Sequence, residues 1–323
     1  MTNTMKWLGG ALIVQLLLVA VTLTSHAGFE RQVPQGALLS FDKNTIDTIK
    51  ISDSLETLEL VKNDAGIWTV PALESLPADP NLVLEAVGRL QDLNKSWPLT
   101  TTSSAHDRFA VANDAFERKV ELLAGEKRQA GLMLGDSPGF RKVHVRVLDE
   151  DPVYSLELNS FDFPVEPEHW LDKSLLAVDD LRQVEGEDFT LTKIGVDWQL
   201  LLDETVTPHD EAKVNQLVRV IGDLRVTGIA ESPISDDAEI TELKVTGGEG
   251  TYTLVLASDG DQYWATRSDN TILFSVNQYP FKQMAAATAL GLQVQEETAE
   301  LDNDNNDSAE QNVADGESES PAS

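Results

Sequence analysis

The chain has 323 residues, 41% hydrophobic and 24% charged, close to globular averages, so its middle is expected to fold. Its 55 acidic against 24 basic residues give a net charge of −31, which repels phosphate backbones and anionic lipid headgroups and argues against nucleic-acid binding. With no cysteine, thiolate catalysis, cysteine-ligated zinc and disulfide stapling all drop out, while compartment stays open.

In chain order, Lys6 precedes seventeen uncharged residues, Trp7–Leu23, with Gln15 and Thr22 as their strongly polar interruptions. As a helix this stretch would rise about 26 Å, just short of a hydrocarbon core of about 30 Å, so it reads as a single transmembrane anchor. Two alternatives stand beside that. Ser25-His26-Ala27 has the small-x-small spacing of a signal-peptidase site, which would release the body after cleavage near Ala27, and the stretch could instead be a buried core helix. Residues 1–28 are therefore expected to be an anchor or signal segment, with the basic end inside and the body on the extracytoplasmic side.

Next, Leu58-Glu59-Leu60-Val61-Lys62 alternates as a strand, Asp64-Ala65-Gly66 turns, and Ile67-Trp68-Thr69-Val70 resumes the alternation, giving a hairpin about Gly66. Pro77-Ala78-Asp79 opens a helix in which Asp79 caps the first turn. Val83, Val87, Leu90 and Leu93 follow at the spacing of one buried face. Strand-like runs come after it at Lys119–Leu123, Ala130–Leu134, Val143–Val147 and Val153–Leu156.

The second half repeats this order. Phe189–Lys193 leads through Gly195 to Val196–Leu200, so that Gly195 and Trp198 answer Gly66 and Trp68 at offsets of 129 and 130. Pro208-His209-Asp210 and the stripe Val214, Val218, Ile221, Leu224 answer the cap and helix at an offset of 131. Runs at Glu242–Val245, Thr251–Leu256, Tyr263–Arg267 and Ile272–Val276 match the later strands at an offset near 120, pairing Arg146 with Arg267 and Tyr154 with Phe274. The loss of about ten residues is cheapest in a surface connection. The expected fold is α+β: two tandem, diverged copies of a mostly antiparallel sheet packed on one helix, at 40–178 and 179–290. Residues 295–323 form an acidic tail with ten Asp or Glu and no Lys or Arg, too polar to bury a core. An EF-hand beginning at Asp302 fails there, with Asp307 where Gly is needed and Val313 where Glu is needed.

The apolar strand, the Gly-x-Trp hairpin, the Asp-capped helix, Leu134-Gly135, Val143-His144-Val145-Arg146, Val153-Tyr154-Ser155 and Trp170–Leu175 together resemble domain-of-unknown-function family 4340. This is a family of anchored bacterial proteins often encoded with gliding-motility-type ABC transporter subunits. The likeness spans about residues 40–285. Gly195-Val196-Asp197-Trp198 departs from it by one extra residue, and no clear Leu-Gly turn recurs in the second copy. The resemblance implies a bacterial inner-membrane location and a transporter partner, and carries no catalytic residue.

Chemistry must then be read directly from the residues. Gly135-Asp136-Ser137-Pro138-Gly139 matches a nucleophile elbow, but an elbow needs a helix after its serine and here a strand follows, so a hairpin loop is expected. His26, His106, His144, His169 and His209 show no metal-ligand spacing. His144 and Arg146 share a strand face, for carboxylate pairing or for an anion or peptide. Gly247-Gly248-Glu249-Gly250 lacks the Lys-Ser/Thr of a phosphate loop and reads as a turn. Trp68 and Trp198 read as core, whereas Tyr252, Tyr263 and Trp264, with Arg146 and Arg267, are the candidate interaction surface. The expectation is a non-enzymatic, cofactor-free accessory or interaction protein. The alternative is a periplasmic binding protein for a small ligand or envelope polymer at the seam between copies.

Overall fold

The computed structural model describes residues 36–294 except Ser232, together with five helical positions between Trp7 and Val19. Among the described residues no helix is long and apolar enough to cross a membrane. Most of the expected anchor, and the whole acidic stretch 295–323, lie outside the described residues.

Two sheets are built, and every strand pairing in them is antiparallel. The first unit runs β1 (Thr48–Ser52), β2 (Thr57–Lys62), β3 (Trp68–Val70), β4 (Leu76–Pro77), helix α1 (Pro80–Gln91), then β5 (Arg118–Ala124), β6 (Lys127–Leu134), β7 (Val143–Val147) and β8 (Val153–Leu156). A one-turn helix, α2 (Pro167–Trp170), leads into the second unit. There β9 (Gln183–Glu185), β10 (Thr190–Ile194), β11 (Asp197–Leu202) and β12 (Thr205–Thr207) precede helix α3 (Glu211–Gly222) and β13 (Val226–Ile229). The unit continues with β14 (Glu239–Thr246), β15 (Thr251–Asp259), β16 (Gln262–Arg267) and β17 (Phe274–Val276), and ends in α4 (Gln278–Ala285) and α5 (Ala289–Leu292).

Strand order is β4-β3-β2-β1-β5-β6-β7-β8 in one sheet and β12-β11-β10-β9-β14-β15-β16-β17-β13 in the other, so the units agree strand by strand apart from β13. Even β13 has a counterpart, because Thr100 bridges Val153 on β8 and the Leu99 N–H donates to the Val153 carbonyl at 2.7 Å.

Local chemistry explains the shared elements. Gly66 and Gly195 sit at φ of 78° and 66°, a left-handed turn conformation that a Cβ would strain, and Lys62 pairs Trp68 across one hairpin as Lys193 pairs Trp198 across the other. The Asp79 carboxylate accepts the Asn81 N–H at 2.8 Å, and Asp210 accepts those of Ala212 and Lys213. Each helix buries the predicted stripe against its sheet, although Leu93 and Leu224 lie just past the helix ends and Val218 is only half-buried. Leu217, at the position of Ala86 in α1, is buried in its place.

Both units close by the same return contact. After β8 the chain comes back so that Ala78 bridges Leu171 and the Asp79 N–H donates to Trp170 O at 2.7 Å. After β17, His209 bridges Gln293 and the Asp210 N–H donates to Leu292 O at 2.9 Å. One continuous apolar core runs through both units by way of Trp170, Leu171, Leu176 and Val178.

The ladder corrects one pairing read from the sequence. Val147 faces Leu132 as Arg267 faces Leu254, and both leucines belong to the shared core, so Arg267 answers Val147. Arg146 faces Met133 on the opposite side of its sheet. A slip of one residue exchanges the faces of a strand.

Trp170 is fully buried, with its indole N–H donating to Pro164 O at 3.0 Å. Trp170→Ala is expected to cost about 3–5 kcal/mol. Because the core is shared, urea unfolding followed by tryptophan fluorescence should keep a single transition at lower denaturant. Two separated transitions would show the units to be independent.

Candidate functional site

The 96–117 connection folds over the outer face of the first sheet and engages Arg146 and His144, two of the side chains that the sequence offered for chemistry. Arg146 is buried at 4% exposure, its Nε donating to Val111 O at 2.7 Å and its Nη2 to Asn113 Oδ1 at 2.7 Å. Burial pulls its guanidinium below the ordinary arginine value, against the attraction of Asp151 and Asp149. Around it Val111, Met133 and Val153 form a second small core, with Phe109 and Phe116 packed on it. His144 shares that face as expected, its Nδ1 2.6 Å from Asp136 Oδ1 and its ring edge-on to Phe109. His106 Nε2 lies 2.9 Å from Asp151 O. The surface role read for Arg146 is thus replaced by a clamp on the connection's backbone, whose fold the local sequence does not reveal.

Ser137 lies in the β6–β7 hairpin, its hydroxyl 2.8 Å from Gly139 O and 2.7 Å from Lys142 O. A strand follows it, as expected for a loop. A Cβ on the preceding Gly135 would fall 1.9 Å from Phe109 O, so this glycine lets the connection seat against the hairpin. The glycine-rich turn at 247–250 is likewise a packing device. A Cβ on Gly247 would meet Val178 and the Asp179 carbonyl within 2.7 Å, and the Gly248 N–H donates to that carbonyl at 2.9 Å. Among the described residues no group of three or more His, Asp or Glu is placed to hold a metal ion.

The candidate aromatic surface of the second unit does not assemble as one patch. Trp264 is buried at 5% exposure. Tyr263 is half-buried, its hydroxyl accepting from Gln278 Nε2 at 2.7 Å and its ring 5.0 Å from Phe281. Tyr252 lies under the Arg267 guanidinium at 4.6 Å, while Arg267 also donates to Ala177 O and pairs with Asp269. Trp198 is buried as expected, and Trp68 is half-buried with Lys62 Nζ 4.9 Å from its ring centre.

Open clefts among the described residues include three near these elements. One of about 430 Å³ lies where Glu168 meets Gly228, Asp261 and Trp264. Another of about 370 Å³ lies along the seam at Asp172, Asp179, Glu249, Tyr252 and Arg267. The third, about 890 Å³, opens between the end of β9, the first half of β14 and the chain at Ala285–Thr288. No local sequence pattern marks it, because the gap arises where two distant strands stop pairing.

These features define an α+β protein of two open antiparallel sheets with a shared core. The model of the family described as domain of unknown function DUF4340 matches residues 68–243, more than half the chain, and the chain belongs to that family. No curated protein and no solved structure matches it.

Arg146→Met, which keeps bulk but leaves its acceptors unpaired, should cost about 2–3 kcal/mol and open 96–117 to limited proteolysis. Unchanged stability and protection would remove the clamp role. The Arg267 guanidinium beside Asp269 holds that carboxyl below the usual carboxylate range, so the stability it contributes is full above the unfolded value of about 4 and is lost as pH falls through the folded one. The melting-temperature gap between the wild type and Asp269→Ala should therefore narrow below about pH 4. A gap that widens with acid would contradict this assignment.

Proposed function

We propose that this is a non-catalytic interaction protein, tethered to a bacterial inner membrane with its body outside the cytoplasm, carrying two diverged copies of one α+β module beside an ABC transporter. The duplication is supported by the matched strand order, the paired asparate caps and the twin return contacts. Tethering rests on the uncharged stretch Trp7–Leu23, and the transporter on the company implied by the family resemblance.

The observation that carries the reading is where the polar groups are used. Ser137, His144, Arg146 and the 247–250 turn are all engaged in holding loops and the seam, so the surface is left to backbone edges and shallow clefts. Such a surface suits an extended protein partner more than a reacting small molecule. A second reading, a ligand or envelope polymer at the seam, draws on the Tyr252–Arg267 stack beside the 370 Å³ cleft.

Affinity purification of the tagged full chain from detergent-solubilised membranes is expected to recover transporter subunits, and recovery of no membrane protein would defeat the proposal. A reporter fused after Ser323 should be active only outside the cytoplasm. Cytoplasmic activity would overturn the topology.

A further inference from the structure

Strand β14 is paired with β15 along all eight residues, yet on its other side β9 covers only Lys244, Val245 and Thr246. From Glu239 to Leu243, no partner strand lies on that side among the described residues. The open edge therefore sits in the middle of the sheet, where the 890 Å³ cleft lies, rather than at its rim.

The first unit shows what is missing. There β1 covers β5 with five pairs, Thr48–Ser52 against Lys119–Leu123. Lys50 facing Glu121 corresponds to Glu185 facing Lys244 with the charges exchanged, so the counterparts of Ile51 and Ser52 would be Gly186 and Glu187. They do not pair with β14. The chain turns away at once, the Gly186 N–H donating to Phe189 O at 2.9 Å, and a Cβ at Gly186 would lie 2.3 Å from the Phe189 ring. Two rungs, those facing Leu243 and Glu242, are therefore absent because of the early turn, and Ile240 lies beyond the stretch that β1 covers in the first unit.

The phase of the ladder says which groups this leaves free. The Thr246 carbonyl accepts from the Arg182 N–H across this edge at 2.7 Å, and in an antiparallel strand the backbone polar groups of alternate residues point to the same side. The N–H and C=O of Glu242 and Ile240 therefore face the cleft. Ile240 is 59% exposed, and the gap is bordered by Glu185, Glu187, Asp188 and Glu242 against a single ammonium, Lys244, which is itself 3.0 Å from Glu185.

We propose that the open half of β14 takes up an extended, basic segment of a partner protein as an added strand, with Ile240 and Glu242 supplying the backbone hydrogen bonds and the surrounding carboxylates selecting lysine or arginine. Strand addition to an exposed edge is an established mode of peptide recognition, and carboxylates beside the edge repel segments of like charge. The chain's own residues 295–323, with ten acidic and no basic side chains, are excluded on that ground, as is the same edge of a second copy. This inference deepens the interaction reading proposed above and rests on it.

The test uses the full chain in detergent and a fluorescent peptide of alternating lysine and valine, with an alternating glutamate and valine peptide as control, read by anisotropy. The basic peptide should bind and the acidic one should not. Ile240→Pro removes one N–H from the free side while sparing the β15 ladder and all charges, and should weaken binding about tenfold or more. Equal affinity of Ile240→Pro and wild type would reveal mere adsorption to an acidic surface and overturn the proposal, as would failure of the wild type to bind. Hydrogen exchange on the unmutated chain gives an answer free of folding artefacts. The Ile240 and Glu242 amides should become protected on adding the basic peptide, and unchanged exchange there overturns the assignment. Comparing membrane partners recovered by wild type and Ile240→Pro separates the two claims. Partners unaffected by the variant would leave the interaction reading standing without this edge, whereas peptide binding with no membrane partner would leave the edge without that reading.

Discussion

Asp79 gives its backbone N–H to the carbonyl of Trp170 and accepts the Asn81 N–H on its carboxylate, so one residue both starts a helix and fastens the far end of its unit to it. Asp210 does the same with Leu292 and the N–H groups of Ala212 and Lys213. Without this closure the helix would have to hold its position on the sheet by apolar contact alone. The bond also fixes the geometry of the junction, because a backbone hydrogen bond requires a set distance and direction. In the first unit the same closure brings Trp170 and Leu171 into the core, and Leu176 and Val178 continue that core toward the second unit. The Lys173 carbonyl accepts the Val226 N–H, and Asp179 meets the 247–250 turn. The seam is thus a continuation of the closure, which explains why one core runs through both units.

How much of this could be read in the sequence depends on the range of the interaction. The hairpins at Gly66 and Gly195, the capped helices and most later strands were legible, because a turn glycine, a cap and an apolar period act over a few residues. Strands β4, β12 and β13 were not, since two to four residues carry no period and become strands only by finding a neighbour. The alternation Thr48-Ile49-Lys50-Ile51-Ser52 does carry a strand signal, but its counterpart Gln183–Glu185 is too short for self-similarity to reveal the pair. The mistaken match of Arg146 with Arg267 has the same origin. An indel of uncertain position leaves the offset loose by one residue, and one residue decides which face a strand side chain takes.

The candidate site was less legible than the fold for a related reason. Arg146, His144 and Ser137 are residue types that chemistry uses, but they lie under or beside a long connection whose own path is set by contacts distant in sequence. Arg146 shows how strong that context is. An exposed arginine in so acidic a chain would pair with any nearby carboxylate, whereas a buried one must satisfy fixed directions, and it does so with the Val111 carbonyl and Asn113. Trp264 makes the same point for aromatics, buried within a strand that also carries half-exposed Tyr263.

The difference between the units is therefore more informative than their likeness. In the first, a longer connection covers the sheet's outer face, and β1 pairs with five residues of β5. In the second, the connection is short and the hairpin stops early, so neither cover nor ladder is complete. An unfilled gap inside a sheet would ordinarily invite aggregation, because its free N–H and C=O groups accept any extended chain. The carboxylates around β14 restrain that hazard by repelling the acidic chain itself and other acidic segments, but the same charges attract a cationic strand. Protection and selectivity are then one electrostatic property, and it operates through backbone groups on the side of β14 that β9 leaves uncovered.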